Sequence, residues 1–214
     1  MKSTSRVSGR RRRQSISEIR RRELAEATLL TMQEFGVKGT TVQRVSERAG
    51  LSHGLVHHYF KSKADMMEAA VRLTNRLITD EVLRLRKAAK TPHERINAVI
   101  EGNFAPSVFS RETVQAWASC SGEAAFNERF ARTIRMVERR LTSNLLYDLK
   151  RIMPADNATR AATGLVLMID GIWLRWARAA SEDIDREEAM APIWNYLGMF
   201  PEYRDNAPQS QPGG

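Results

Sequence analysis

A single cysteine, Cys120, is present among 214 residues. No disulfide can form within one chain, a zinc site built on several thiolates is excluded, and a reducing compartment fits this usage. No run approaches the roughly 18 consecutive apolar residues that a spanning helix requires. Residues 10–13 are all arginine, but the QSISEIRRREL that follows lacks the apolar stretch of a secretory signal. Convincing strand pairs, hairpin signals and internal repeats are missing as well. The expectation is a soluble, cytoplasmic, all-α protein with no membrane partner.

Positive charge is plentiful and unevenly spread. Residues 1–60 carry 12 Lys and Arg against 5 Asp and Glu, an excess of 7, whereas residues 61–214 carry 22 against 20. Such a concentration suits a polyanion, because neutralising phosphates releases counterions and supplies sequence-independent affinity. A membrane surface is the rival partner on charge alone. The hydrophobic content of 42% is ample for a core.

Residues 1–17 lack hydrophobic periodicity and read as a flexible basic arm, and the tail at 204–214, ending in APQSQPGG, reads as disordered. Between them the spacing is helical almost throughout. A first helix over 19–35 is stopped by Gly36 and Gly39. A short one over 42–49 is opened by Thr40 with Gln43 three residues on, a capping-box pattern, and closed by Gly50. Ser52 caps a second short helix to Tyr59, and Ser62 with Asp65 starts one that runs to about Ala89. Pro92 resets the chain, Pro106 breaks the next helix, and Pro154 ends a long one beginning near Glu123. Two more fit 157–180 and 184–199. Residues 164–176, GLVLMIDGIWLRW, are apolar nearly all round, which predicts burial on more than one side, part of it supplied by a second chain.

Three of the four histidines crowd into residues 49–60, AGLSHGLVHHYF. Two short helices joined through AGLS match a helix-turn-helix, with Val45, Ala49, Leu51, Leu55 and Val56 holding the pair together. That packing leaves Ser52, His53, Gly54, His57 and Tyr59 wholly or partly outside, where the second helix of such a motif meets the major groove. Gly54 permits close backbone approach, and Thr41, Tyr59 and Lys63 suit phosphates, Lys63 at a helix start that itself favours an anion. His53 and His57 also have the i, i+4 spacing of metal ligands, but GLV lies between them and no Cys or carboxylate cluster completes a shell. Neither a metal nor a cofactor is called for. Catalysis needs a convergent acid, base and nucleophile set, and none is found, so no enzyme is expected.

The run from Arg20 to Lys63, with IRRRELAEATL and GTTVQRVSERAGLSHGLVHHYFKSK, resembles the DNA-binding domain of TetR-family repressors, most specifically in Tyr59-Phe60 followed by Lys63. The resemblance implies a three-helix helix-turn-helix domain over 18–63, then a helical ligand-binding and dimerisation domain over 64–203. It implies a homodimer on a near-palindromic double-stranded operator, released when a small molecule enters the C-terminal domain. On the same basis Thr41, Gln43, Ser52, His53, Gly54, His57, Tyr59 and Lys63 hold positions that commonly face DNA.

Further segments, GNF at 102–104, AW at 116–117, RRLTSNLLYDLKR at 139–151 and LMIDGIWLR at 167–175, are similar to the BetI branch of that family, choline-responsive repressors of glycine betaine synthesis genes. The effector implied is choline or betaine aldehyde. A quaternary ammonium wants aromatic faces and a carboxylate. Phe104, Trp117, Glu123, Tyr147, Asp170 and Trp173 are the candidates, with Trp117, Tyr147 and Trp173 the preferred aromatic trio. BetI proteins are richer in aromatics just after the Ala-Trp pair, where this chain reads ASCSGE, so a different small-molecule effector is the alternative. A nonspecific architectural DNA-binding protein, bound mainly through residues 10–13, is the rival in another class. Cys120 has no flanking Lys, Arg or His to lower its pKa and reads as buried and inert.

Overall fold

The computed structural model describes residues 4–179 and 185–205, with side chains from residue 16 onward. Every regular element among these is helical: α1 (Thr4–Gly39), α2 (Val42–Ala49), α3 (His53–Tyr59), α4 (Lys63–Ala88), α5 (Pro92–Asn103), α6 (Arg111–Glu123), α7 (Glu128–Leu149), α8 (Ala155–Ala177), α9 (Arg186–Gly198) and α10 (Pro201–Asp205). No described helix is long and apolar enough to cross a membrane.

Several boundaries differ from expectation. The backbone is helical from Thr4; no proline interrupts that stretch, and arginine is a good helix former. Met1 to Ser3 fall outside the described residues. Gly36 breaks α1 internally at φ 65, ψ 176. The cap of α2 is Thr41, whose hydroxyl accepts from the Arg44 amide, while Thr40 instead donates to the Gly36 carbonyl at 2.8 Å. Gln43 bonds Glu47 rather than closing a capping box. Glu123 ends α6 instead of opening the long helix, which Asn127 caps four residues later. Of the tail expected from 204, Arg204 and Asp205 belong to α10, and the rest lies outside the described residues.

The chain divides into two compact units, Met1–Thr74 and Asn75–Gly214. The division falls within α4, which runs on without a break. The first unit is cored by Leu24 and Ala27 of α1, Val45 of α2, Val56 of α3, then Phe60 and Met66. The second is cored by Ile96, Val99 and Ile100 of α5, Val114 of α6, Leu145 and Leu149 of α7, the inner face of α8, and Ile193 and Leu197 of α9. A wholly buried carboxylate, Asp148, joins three of its helices, accepting from Arg95 Nε at 2.7 Å and Arg86 Nη2 at 2.9 Å. Burial of a charge is tolerated there because it is both paired and hydrogen-bonded.

Within residues 164–176 one side is not covered. Leu165, Ile169, Ile172, Trp173 and Trp176 are buried, but Leu167 is 68% exposed and Leu174 36% exposed. Gly171 lies between them on the same helical face, and no protein atom comes within 4 Å of where a side chain would begin there.

Candidate functional site

In the first unit the turn between α2 and α3 is made by Gly50, at φ 64 and ψ 32, a left-handed conformation that glycine adopts without penalty. Its amide reaches the carbonyls of Ser46 and Glu47, and the Leu51 amide reaches Ser46 at 3.0 Å. α3 then begins at Ser52, whose hydroxyl accepts from the Leu55 amide at 3.3 Å. Val45 and Val56, both 0% exposed, lock the two helices face to face.

With Val56 inward, the opposite edge of α3 points to solvent. Ser52, His53, Gly54, His57 and His58 are exposed and Tyr59 is half-buried. A side chain at Gly54 would meet no protein atom within 4 Å, so the backbone is open to close approach. Thr41 and Gln43 are exposed on α2. Lys63 is also exposed, its ammonium donating to the Lys38 carbonyl at 3.2 Å. All eight residues expected to face DNA therefore lie on or beside the α2–α3 motif and none is in the core. No cluster of three or more His, Cys, Asp or Glu fit to hold a metal ion occurs among the described residues.

Arg21 of α1 fixes the far end of α3. It donates to the Tyr59 carbonyl at 3.0 Å, and its guanidinium sits 4.8 Å over the Phe60 ring. Sequence reasoning did not single it out; a cation one helical face away from the motif carries no local signal.

In the second unit a recess is lined by Asn75 and Ile78 of α4, Asn103 of α5, Trp117 of α6, Val137, Glu138 and Leu141 of α7, and Val166, Ile169, Asp170 and Trp173 of α8. Three of the six expected ligand residues meet here: Trp117, Asp170 and Trp173. The Trp117 and Trp173 rings meet edge to face with centroids 6.1 Å apart. Burial raises the pKa of Asp170, and a hydrogen bond from Trp117 partly offsets this. The Trp173 indole N–H, on a residue only 4% exposed, has no acceptor among the described residues. An unmet buried donor of this kind costs about 1–3 kcal/mol.

The other three are placed elsewhere. Phe104 is 0% exposed and stands one layer behind, edge to face with Phe109 at 4.8 Å, which in turn touches Trp173 at 5.6 Å. Tyr147 is 57% exposed: Leu145 and Leu149 of α7 turn into the core, and at 3.6 residues per turn the residue between them points away. Its ring and hydroxyl both engage Arg151. Glu123 is exposed at the last turn of α6. Asn75, Asn103 and Glu138 were not anticipated; polar residues on otherwise inward faces, they needed the tertiary arrangement to show their direction. The Cys120 thiol is buried, and burial with the nearby Glu123 charge pushes its pKa up to about 12, so the thiolate nucleophile is suppressed.

A short polar-edged helix turned outward from a three-helix core is a device by which proteins read duplex DNA, and here a second helical unit carries a small recess lined by aromatic and acidic side chains. The class is a DNA-binding transcriptional regulator. Residues 24–70 match the bacterial regulatory proteins of the tetR family, and residues 92–200 match the BetI-type transcriptional repressor C-terminal domain. The chain belongs to the TetR family, with a C-terminal domain of the BetI type.

The HTH-type transcriptional regulator BetI of Paraburkholderia xenovorans is 36% identical over 86% of this chain and 94% of its own length. That of Rhizobium meliloti is 38% identical over 85% and 89%. Among solved structures, a TetR transcription regulator from Haloarcula marismortui shares the fold at TM-score 0.74 with 19% identity, covering 84% of this chain and 96% of that one. A transcriptional regulator from Saccharomonospora viridis, solved in complex with choline, aligns at TM-score 0.72 with 19% identity over 85% and 96%. Membership of this family of regulators, not of any enzyme family, is what the chain's likeness establishes.

Proposed function

We propose that this cytoplasmic regulator is a homodimeric repressor of choline and glycine betaine genes, released from a near-palindromic operator by a quaternary ammonium compound, choline or betaine aldehyde. The observation that carries the effector is the meeting of Trp117, Trp173 and Asp170 in one recess. Two indole faces attract a cation that cannot donate hydrogen bonds, and Asp170 with Glu138 balances its charge. The unpartnered Trp173 N–H suits an oxygen such as choline's hydroxyl or the aldehyde's carbonyl. The relatives named BetI and the choline complex of the S. viridis regulator support the same chemistry.

At the DNA, Ser52, His53, Gly54 and His57 meet base edges or approach the backbone, while Thr41, Gln43, Tyr59 and Lys63 hold phosphates. The uncovered face of α8, with Leu167, Gly171 and Leu174, pairs with its counterpart in a second copy. Two reading heads must stand about one DNA turn apart, roughly 34–36 Å, or a multiple of it. α4 lines the recess with Asn75 and Ile78 and begins at Lys63 beside the recognition motif. It is one unbroken helix of 26 residues. Release requires the effector to favour the mismatched state, since equal affinity for both shifts nothing.

Footprinting of the purified protein on the DNA flanking its own gene tests this. Protection of a palindromic site, lifted by choline or betaine aldehyde, is the expected result. Protection that neither compound lifts would leave the repressor and remove the effector; protection without sequence preference would leave only an architectural DNA binder.

A further inference from the structure

A second cavity adjoins the aromatic recess and shares five of its lining residues, Asn75, Ile78, Asn103, Val137 and Leu141. Its volume is about 310 Å³ against about 40 Å³ for the recess. The recess admits a compact head group and little more, so a ligand seated there extends outward, and the adjoining cavity is the larger space beside it.

The two differ in charge. The recess carries Asp170 and Glu138. The cavity carries Arg86 and Arg140, with the amides of Asn75, Asn103 and Asn144. Arg86 is already engaged by Asp148 at 2.9 Å, a carboxylate it shares with Arg95. Arg140 is not: among the described residues no carboxylate lies within ion-pair distance of it. Its guanidinium makes a 3.4 Å hydrogen bond to the Asn75 carbonyl, long for a cation. Arg140 is exposed as a residue, yet partial burial lowers its pKa with no anion to compensate.

We propose that the same site also takes a zwitterion, and more tightly than choline, with its quaternary ammonium in the Trp117–Trp173–Asp170 recess and an anionic terminus, carboxylate or phosphate ester, in the adjoining cavity against Arg140. This rests on the reading of the recess as an ammonium site and adds what the neighbouring cavity selects for. A planar guanidinium with two parallel donors matches a carboxylate or phosphate, and Asn144, one helical turn further along α7, can donate to the same group. Choline fills only the first half of such a site and leaves Arg140 unmatched. Among cations of similar head group, the site then discriminates by the presence of the anion.

The test is calorimetric titration of the full chain with tetramethylammonium, choline, glycine betaine and phosphocholine. At least one zwitterion is expected to bind about ten-fold or more tightly than choline, a difference of about 1.4 kcal/mol. Arg140→Gln is expected to abolish that preference while sparing tetramethylammonium and choline. Preference for glycine betaine identifies a carboxylate, and for phosphocholine a phosphate. Choline binding as tightly as both zwitterions overturns the proposal and leaves the ammonium site standing, as does an Arg140→Gln loss that is equal for all four. Failure of all four to bind overturns both readings. Should Arg140→Gln not fold, Asn144→Asp places a competing anion beside Arg140 and is expected to remove the zwitterion preference; a retained preference overturns the proposal.

Discussion

Arg21 donates to the carbonyl oxygen of Tyr59 at 3.0 Å, so a residue of the first helix closes the last turn of the recognition helix. α3 has only 7 residues, too few to hold its shape by propensity alone. Arg21→Ala is expected to fray α3 and weaken operator binding by about ten-fold, a loss of the size of one charged hydrogen bond with its cation–π contact. Fluorescence anisotropy on labelled operator measures the loss, and unchanged effector binding by the same variant shows that it is local to the DNA-binding unit.

The reading edge itself is tested by His57→Ala. A direct base contact is worth about 1–3 kcal/mol, so operator affinity should fall by about ten-fold or more while affinity for unrelated DNA changes less. Deletion of residues 1–17 should do the reverse, lowering nonspecific affinity and leaving sequence preference. The opposite pattern in competition gel shifts would point to an architectural protein.

The uncovered apolar strip of α8 is tested by Leu167→Glu. Two carboxylates brought together at a two-fold contact repel and lose the burial of Leu167, which is 68% exposed in the single chain. Light scattering should report a monomer, with operator affinity reduced by at least the dimer's contribution. A dimer of wild-type stability would place the self-contact elsewhere.

Asp170 has a raised pKa in the fold because burial disfavours its charge. Its contribution to stability is fully present below the unfolded carboxylate pKa and is lost as pH rises through the raised folded value. Asp170→Asn should therefore raise Tm at neutral pH. An ammonium ligand favours the ionised carboxylate, so the same substitution should weaken its binding, and wild-type affinity should fall as pH is lowered through the raised Asp170 value. Calorimetry over a pH series checks the sign. Pairing a loss of affinity with a gain of stability distinguishes a binding carboxylate from a structural one.

Asp148 is the structural counterpart. Asp148→Ala strips the anion from two arginines at once and should cost about 3–5 kcal/mol, read as a lower urea midpoint. Full restoration by a compensating change of Arg86 alone is not expected, because Arg95 remains unmatched.

The helical architecture was legible because punctuation was strong. Gly50 and the Ser52 cap bracketed the recognition helix, and the residue left over after Val45 and Val56 were assigned inward had to face out. α6 was not resolved as a separate helix, since the apolar run around Val108 and Phe109 lies in a buried connection that reads like helix. Of the ligand candidates, Val166, Ile169, Asp170 and Trp173 follow one helical stripe and could be found together once one of them was known to face inward. Tyr147 and Phe104 could not be placed by residue type, because an aromatic ring suits a core, a surface stack and a ligand wall equally. Arg140 and Glu138 belong to a long charged stretch of α7 in which only packing against α4 and α8 singles out two positions.

Gly164 of α8 lies so near the Tyr196 side chain of α9 that even a methyl group would collide with its ring and hydroxyl. Tyr196 is held in that position by its bond to the Arg160 carbonyl at 3.0 Å. A bare hydrogen at 164 thus sets how thin the α8–α9 layer can be. In an assembly built on that layer, one added carbon would act as a shim, widening the gap between two copies and detuning the span between the grooves they grip.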